Sequence, residues 1–371
     1  MLYPSIHWYL GGMNDIRTGL SYGDALLVPQ RSPVDSRSDV DLSTRLAPGV
    51  GLDVPLLSAP MDTVTEAETA LALSRAGGFG TIHRFLTVDE QAEMIHEVTG
   101  AGEQVGAALG IDEDYLARAE ACLEAGADAL VVDVAHGHLE RTLDAVAEIR
   151  TVFDAPLVAG NVATPEGTRD LVAAGADCVK VGIGPGSHCT TRRVAGAGVP
   201  QLTAVDDCAD AAREQGVTVI ADGGIRSSGD AVKALMAGAD TVMMGSLFAG
   251  TAEAPGAVIE RDGTRYKRSR GMATTTAAQE RSDKEGDVRA DEGVEALTPY
   301  KGPVADVVAE FCAGIRSGLS YCGGHTIEEA REEAEFVRVA ASAKEREGAH
   351  VDHDWEGVTV DSVGATANSD D

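Results

Sequence analysis

Short apolar runs recur along this chain at intervals that a helix can fill. Eight stand out: 54–61, 78–83, 105–110, 129–135, 156–162, 178–184, 218–224 and 241–246. Runs this apolar and this short predict strands covered on both faces, which are parallel strands. Stretches with helical periodicity lie between most of them. The joins share a pattern. Ala125-Gly126-Ala127-Asp128, Ala174-Gly175-Ala176-Asp177 and Ala237-Gly238-Ala239-Asp240 each end an Ala-rich helical stretch at a glycine, just before a run begins. A glycine there suits a left-handed helix cap. Arg75-Ala76-Gly77-Gly78 is a looser copy.

Eight strand–helix units predict an α/β fold, a (β/α)8 TIM barrel, with an open doubly wound sheet as the alternative. Two insertions break the spacing. About thirty residues separate runs six and seven, and a polar stretch over 253–299 follows run eight. The second predicts a mobile flap. The catalytic barrel is expected over 13–345. Residues 1–12 read as a mis-called start or a short arm, and 346–371 as an acidic disordered tail.

Apolar residues make up 44% of the 371 and aromatics only 4%, so the core must be aliphatic. Sixty acidic residues against thirty basic ones give a formal charge of -30, and only six of the thirty are Lys. Such a surface repels nucleic acid and anionic membrane. It fits either an ordinary acidic protein or a halophile with molar cytoplasmic salt, and the scarcity of Lys along the whole chain favours the halophile. The six cysteines form no CxxC pair and have no metal-ligand spacing. Reduced thiols and the lack of an apolar span predict a cytoplasmic protein.

In a barrel the site gathers at the strand C-terminal ends. Those ends read Ser58-Ala59-Pro60-Met61-Asp62, Asp133-Val134-Ala135-His136, Gly160-Asn161, Gly182 through Arg192, Asp222-Gly223-Gly224 and Gly245-Ser246. Gly223-Gly224 and Gly245-Ser246 follow the last two strands, where backbone amides can approach a phosphate. A carboxylate at Asp222 suits paired sugar hydroxyls. Five cysteines lie in helical or strand patterns and read as packing residues. Cys189 alone sits in a Gly-rich polar loop, between Ser187 and Arg192, where a thiolate could act as a nucleophile.

At these residues the chain resembles the IMP dehydrogenase/GMP reductase family. Gly182–Arg192 resembles the family's catalytic loop, and Ser58–Thr63, Gly160–Thr164, Ala221–Gly224 and Tyr300-Lys301-Gly302 also match. The resemblance implies a purine nucleoside 5′-monophosphate as substrate and a covalent adduct of Cys189 at C2 of the base. Thr191 and Glu292 would handle protons at the C2 leaving group. Ser58, Met61, Ser187, Asp222, Gly223, Gly224, Gly245, Ser246, Gly271 and Met272 would hold the nucleotide. Asp133, Asn161, Gly182 and Gly184 would face the cofactor. Carbonyls of Gly184, Gly186 and Cys189 would bind a monovalent cation, K+ in first place, and the assembly would be a homotetramer. His188 departs from the small apolar residue usual before the cysteine, and its ring is expected to point away from the thiol.

The family contains two reactions. The dehydrogenase oxidises IMP with NAD and needs an Arg-Tyr pair on the flap to activate water. The reductase converts GMP to IMP and ammonia with NADPH and does not. Between Gly271 and Pro299 no Arg-Tyr pair occurs; Arg265-Tyr266 precedes it. Arg84 and Arg289 are candidates for the extra phosphate of NADPH. Val288–Gly293, Glu260–Gly263 and Ser36–Leu42 look like the reductase, and no inserted domain follows run two. Met61–Glu66, Ala135–His138 and Met244–Ser246 look more like the dehydrogenase. The missing pair bears on the step that differs, so the reductase is the expected activity and the dehydrogenase the alternative.

Overall fold

The computed structural model describes residues 16–112, 114–280 and 292–346. The expected arm at 1–12, Arg289, and the expected tail from residue 347 onward lie outside the described residues.

All eight runs form strands, and they close into one parallel barrel. In chain order these are β1 (Leu56–Ser58), β2 (Phe79–Ile82), β3 (Val105–Leu109), β4 (Ala129–Asp133), β5 (Leu157–Val162), β6 (Cys178–Val181), β7 (Thr218–Asp222) and β8 (Thr241–Met244). Closure is made by β8 pairing with β1, Met243 opposite Leu57. The strands are shorter than the apolar runs. Pro60, which lacks an amide donor, follows β1, and Gly182, Gly184, Gly223 and Gly224 take positive φ just past β6 and β7. These released ends line the barrel mouth.

Seven helices follow the first seven strands: α1 (Ala67–Arg75), α2 (Val88–Gly100), α3 (Tyr115–Glu124), α4 (Glu140–Val152), α5 (Pro165–Ala173), α6 (Gln201–Arg213) and α7 (Ser228–Met236). The segment between runs six and seven holds the Cys189 loop, a short helical turn over Thr191–Val194 and then α6. The eighth helix, α8 (Val304–Cys322), comes only after the flap. It buries Val304, Val308, Phe311, Ile315 and Leu319 at helical spacing and packs between α7 and α1, completing the ring. Gly314 and Gly318, one turn apart, permit that approach: a Cβ on Gly318 would lie 2.5 Å from Val232.

The aspartates of the repeated joins have a definite task. Asp128, Asp177 and Asp240 accept hydrogen bonds from amides in the first two residues of the neighbouring strands, at Val105 (2.8 Å), Leu157 (2.9 Å) and Val219 (2.8 Å). Each fixes a strand edge at the lower end of the barrel. That end is plugged by a hairpin of Thr44–Ala47 and Val50–Leu52, whose Leu46, Val50 and Leu52 pack with Leu57, Phe79, Val131, Val158, Ile220 and Met243.

Among the described residues of the segment expected as a flap, β9 (Ile259–Arg261), β10 (Thr264–Arg270) and β11 (Glu295–Pro299) form an antiparallel sheet; residues 281–291 lie outside the described residues. The buried residues of β10 are Lys267, Ser269 and Arg270, so no hydrophobic alternation shows in the sequence. Their polar groups are satisfied internally; Lys267 Nζ donates to the carbonyls of Ala252 (2.9 Å) and Ala254.

Candidate active site

Two chambers open at the barrel mouth and share a wall. The first, a cavity of ≈ 420 Å3, is lined by Met61, Ser187, Cys189, Thr191, Asp222, Gly223, Gly224, Gly245, Ser246, Gly271, Met272 and Glu292 among others. The second, ≈ 360 Å3, is lined by Arg84, Asp133, Asn161, Gly182, Gly184, Gly186 and Met272, and again by Cys189, Thr191 and Asp222. The thiol therefore stands where the chambers meet. Of the expected nucleotide residues only Ser58 stays out of the lining. It is wholly buried at the end of β1, where its hydroxyl accepts from Thr65 Oγ1 at 2.8 Å. Its neighbours Ala59 and Met61, past the end of the strand, reach the cavity instead.

Cys189 is the exposed cysteine; the other five are buried. Burial pushes the thiols of Cys122 and Cys178 up to about 12, and those of Cys208, Cys312 and Cys322 to about 11. They stay protonated and inaccessible at neutral pH. Cys189 Sγ donates to Thr191 Oγ1 (3.2 Å), and Thr191 Oγ1 donates to Glu292 Oε2 (2.7 Å). Glu292 is 101 residues beyond Thr191. It arrives because the flap residues before β11 pair with the catalytic loop: Thr190 N donates to Glu292 O (2.9 Å), and Val294 N to His188 O (2.9 Å).

The His188 ring turns away from the thiol. Its Nε2 hydrogen-bonds Ser269 Oγ on β10 (2.8 Å) and its Nδ1 lies 3.2 Å from Ser187 Oγ, while burial lowers its pKa. Ser187 and Ser246 share a hydrogen bond, so the two hydroxyls expected at the phosphate meet. Sequence reasoning noted Lys301 only within the matching Tyr300-Lys301-Gly302 and gave it no site role. It lines the first chamber, and its Nζ donates to the carbonyls of Ser246 (3.2 Å) and Leu247 (3.3 Å). Desolvation lowers its pKa. Arg226 also lines this chamber, which places two cations beside Gly223-Gly224 and Gly245-Ser246.

The flap is anchored by a second unread contact. Arg270, just before Gly271-Met272, forms a bidentate pair with Asp62 after β1, with Nε 3.0 Å from Oδ2 and side chains 6% and 13% exposed. Its amide also donates to Thr63 Oγ1 (3.3 Å). Arg270→Ala would leave the Asp62 carboxylate buried without its partner. The expected cost is ~3 kcal/mol in stability, together with a rise in the KM for nucleotide as Gly271-Met272 lose their place. Chemical unfolding and steady-state kinetics check both; a fully active variant of unchanged stability would remove the anchoring role.

Carbonyls of Gly184, Gly186 and Cys189 lie in one loop, and Gly186 O already accepts from Cys189 N at 3.1 Å. Among the described residues no cluster of His, Cys, Asp and Glu has metal-binding geometry.

A parallel barrel carries one accessible thiol between two adjoining chambers at its mouth, with a Thr–Glu pair against that thiol, and the family match makes it an oxidoreductase fold. Residues 19–350 match the IMP dehydrogenase / GMP reductase domain, and the chain belongs to that family. Relatives carry both names. Inosine-5′-monophosphate dehydrogenase of Nitrosopumilus maritimus is 36% identical, the match covering 88% of this chain and 97% of the relative. GMP reductase of Leishmania donovani is 34% identical, covering 92% and 98%. Among solved structures, a cysteine-to-alanine variant of GMP reductase from Trypanosoma brucei, in complex with guanosine 5′-monophosphate, superposes with a TM-score of 0.86 at 33% identity, covering 91% and 99%. The family uses NAD(P)-type dinucleotides. The Leishmania alignment runs over 484 positions, more than the 371 residues here, so that reductase carries segments this chain lacks. The dehydrogenase of Borreliella burgdorferi aligns over only 393. Alignment length therefore does not sort the two names. Among the described residues no helix is long and apolar enough to cross a membrane.

Proposed function

We propose that this chain reduces GMP to IMP and ammonia with NADPH. The observation that carries the reading is the combination of an assembled Cys189–Thr191–Glu292 chain with a flap lacking the Arg-Tyr pair. Arg265, the nearest arginine followed by a tyrosine, stacks its guanidinium 4.4 Å from the Tyr300 ring and lines neither chamber.

The nucleotide occupies the first chamber, with its phosphate against Ser187, Gly223, Gly224, Gly245 and Ser246 and the cations Lys301 and Arg226. Asp222 takes the ribose hydroxyls, and Gly271 and Met272 meet the base. The Cys189 thiolate adds to C2, forming the C–S bond. The C2–N bond to the amino group then breaks, and the proton that the departing ammonia needs comes along Thr191 and Glu292. The reduced dinucleotide, when bound beside Asp133, Asn161, Gly182 and Gly184, supplies hydride to C2. The C–S bond electrons return to Cys189, leaving IMP. Arg84 in the second chamber and Arg289 are the candidate partners of the cofactor's extra phosphate.

Purified protein in high KCl should consume NADPH when given GMP, read at the nicotinamide absorbance band. NADH production from IMP and NAD, with no GMP-dependent NADPH loss, would establish the dehydrogenase instead. That second reading has specific support in the dehydrogenase-like Met61–Glu66 and Met244–Ser246 segments and in the 36% identity to a dehydrogenase.

The charge of -30 leads to a further expectation. At about 1 M salt the Debye length is about 3 Å, which screens self-repulsion. We propose a halophilic homotetramer whose K+ site, half-built from Gly184, Gly186 and Cys189, is completed by a neighbouring subunit. Thermal unfolding and light scattering across KCl should show a steep gain in stability and a tetrameric mass. A flat profile or an active monomer would count against it.

A further inference from the structure

Lys180 lies in the middle of an apolar strand and is 1% exposed. Side chains on β6 alternate, and Cys178 packs in the cluster of barrel-interior residues, so Lys180 also points inward. On β4 and β7 the same alternation, from Val131 and Ile220, points Asp133 and Asp222 inward. The Lys180 ammonium donates to Asp133 Oδ1 (2.7 Å), to Asp222 Oδ2 (2.8 Å) and to Asn161 Oδ1. All three of its protons are used. Asn161 in turn donates from Nδ2 to Asp222 Oδ2 and to Gly182 O, each at 2.8 Å.

This reach requires an open lane across β5. Gly160 stands opposite both Asp133 and Lys180 in the ladder. A Cβ on Gly160 would come within 2.4 Å of the Lys180 carbonyl oxygen and 2.7 Å of its Cβ. Burial by itself would lower the Lys180 pKa, but Asp133 and then Asp222 raise it above its ordinary value, so the ammonium stays charged. Without it two carboxylates would face one another at the barrel mouth. Among the described residues, the other oxygen of each carboxylate has no protein partner, and both carboxylates line a chamber.

We propose that Lys180 is a positioning residue that couples the nucleotide chamber to the dinucleotide chamber by holding Asp222 and Asp133 on one ammonium. It donates nothing to either ligand. It fixes the rotamers of two acceptors, one for each ligand, so a change at one carboxylate is felt at the other. The inference rests on Asp222 facing the nucleotide and Asp133 the dinucleotide. It does not depend on which of the two reactions the enzyme runs.

The test is a double-mutant cycle read by calorimetry on the full-length protein in KCl, titrating GMP and, separately, IMP. No turnover is needed, so a failure of GMP reduction leaves the result readable. Asp133→Asn, on the dinucleotide side, should weaken nucleotide binding about fivefold or more, within the usual range of coupling between sites. Lys180→Met should weaken it about tenfold, and Asp133→Asn should add nothing further in that background. Lys180→Arg keeps the charge but not the compact ammonium, and should behave like Lys180→Met. Unchanged nucleotide affinity in Asp133→Asn would overturn the proposal, as would independent, multiplicative effects of the two substitutions. If Lys180→Met does not fold, Asp133→Asn alone decides.

Discussion

Cys189→Ser should lose turnover by on the order of 10^4-fold while keeping its affinity for nucleotide. The two halves of this expectation have separate causes. A serine hydroxyl is almost wholly protonated at neutral pH and is a far weaker nucleophile than a thiolate. The nucleotide, by contrast, is held mainly by groups that the substitution leaves in place: Ser187, Asp222, Gly223, Gly224, Gly245 and Ser246 all line the first chamber. The other five cysteines cannot substitute, because burial keeps them protonated and out of reach. Quenching the reaction and mapping the adduct by peptide mass spectrometry should place it on Cys189. An adduct on another cysteine, or a serine variant with substantial turnover, would remove Cys189 from the chemistry.

How much of this was legible in the sequence depended on the range of the interaction. The eight strands follow from local apolar runs, and the joins from Gly126, Gly175 and Gly238, which take the left-handed conformation that their pattern predicts. Cys189 could be singled out because its neighbours are glycines and hydroxyls while the other cysteines sit in periodic stretches. Contacts between distant segments were not legible. Asp62 and Arg270 are 208 residues apart, and nothing local pairs them. β10 is invisible to a hydrophobic alternation because its buried positions are Lys267, Ser269 and Arg270. Ser58 was placed at the nucleotide by resemblance, yet its position on β1 buries it against Thr65. Lys180 did carry a signal: a charged residue between valines in a strand expected to be covered on both faces, in a chain with six lysines. A buried ammonium must have partners, and Asp133, Asn161 and Asp222 stand at strand ends within reach across the barrel mouth.

Glu292→Gln should lower kcat by about 10^2- to 10^3-fold and leave the KM for nucleotide little changed. The backbone of Glu292, not its side chain, holds the flap to the catalytic loop, through Thr190 N to Glu292 O and Glu292 N to Ala273 O. Glutamine preserves those bonds and the shape of the side chain. It removes the carboxylate that accepts from Thr191 Oγ1 at 2.7 Å, and with it the capacity to take up and return a proton. Thr191→Val interrupts the same route one step nearer the thiol, since Cys189 Sγ donates to the Thr191 hydroxyl. Two groups acting in series on one proton give losses that do not add. The double variant should therefore be about as slow as the worse single one. Single-turnover kinetics separate this step from product release, and a burst of Cys189 adduct that still carries the amino group, formed at the normal rate but decaying slowly, would assign the loss to departure of that group. If Glu292→Gln turns over at the wild-type rate, the Thr191–Glu292 contact is structural, and the proton for the leaving group must come from elsewhere in the chamber.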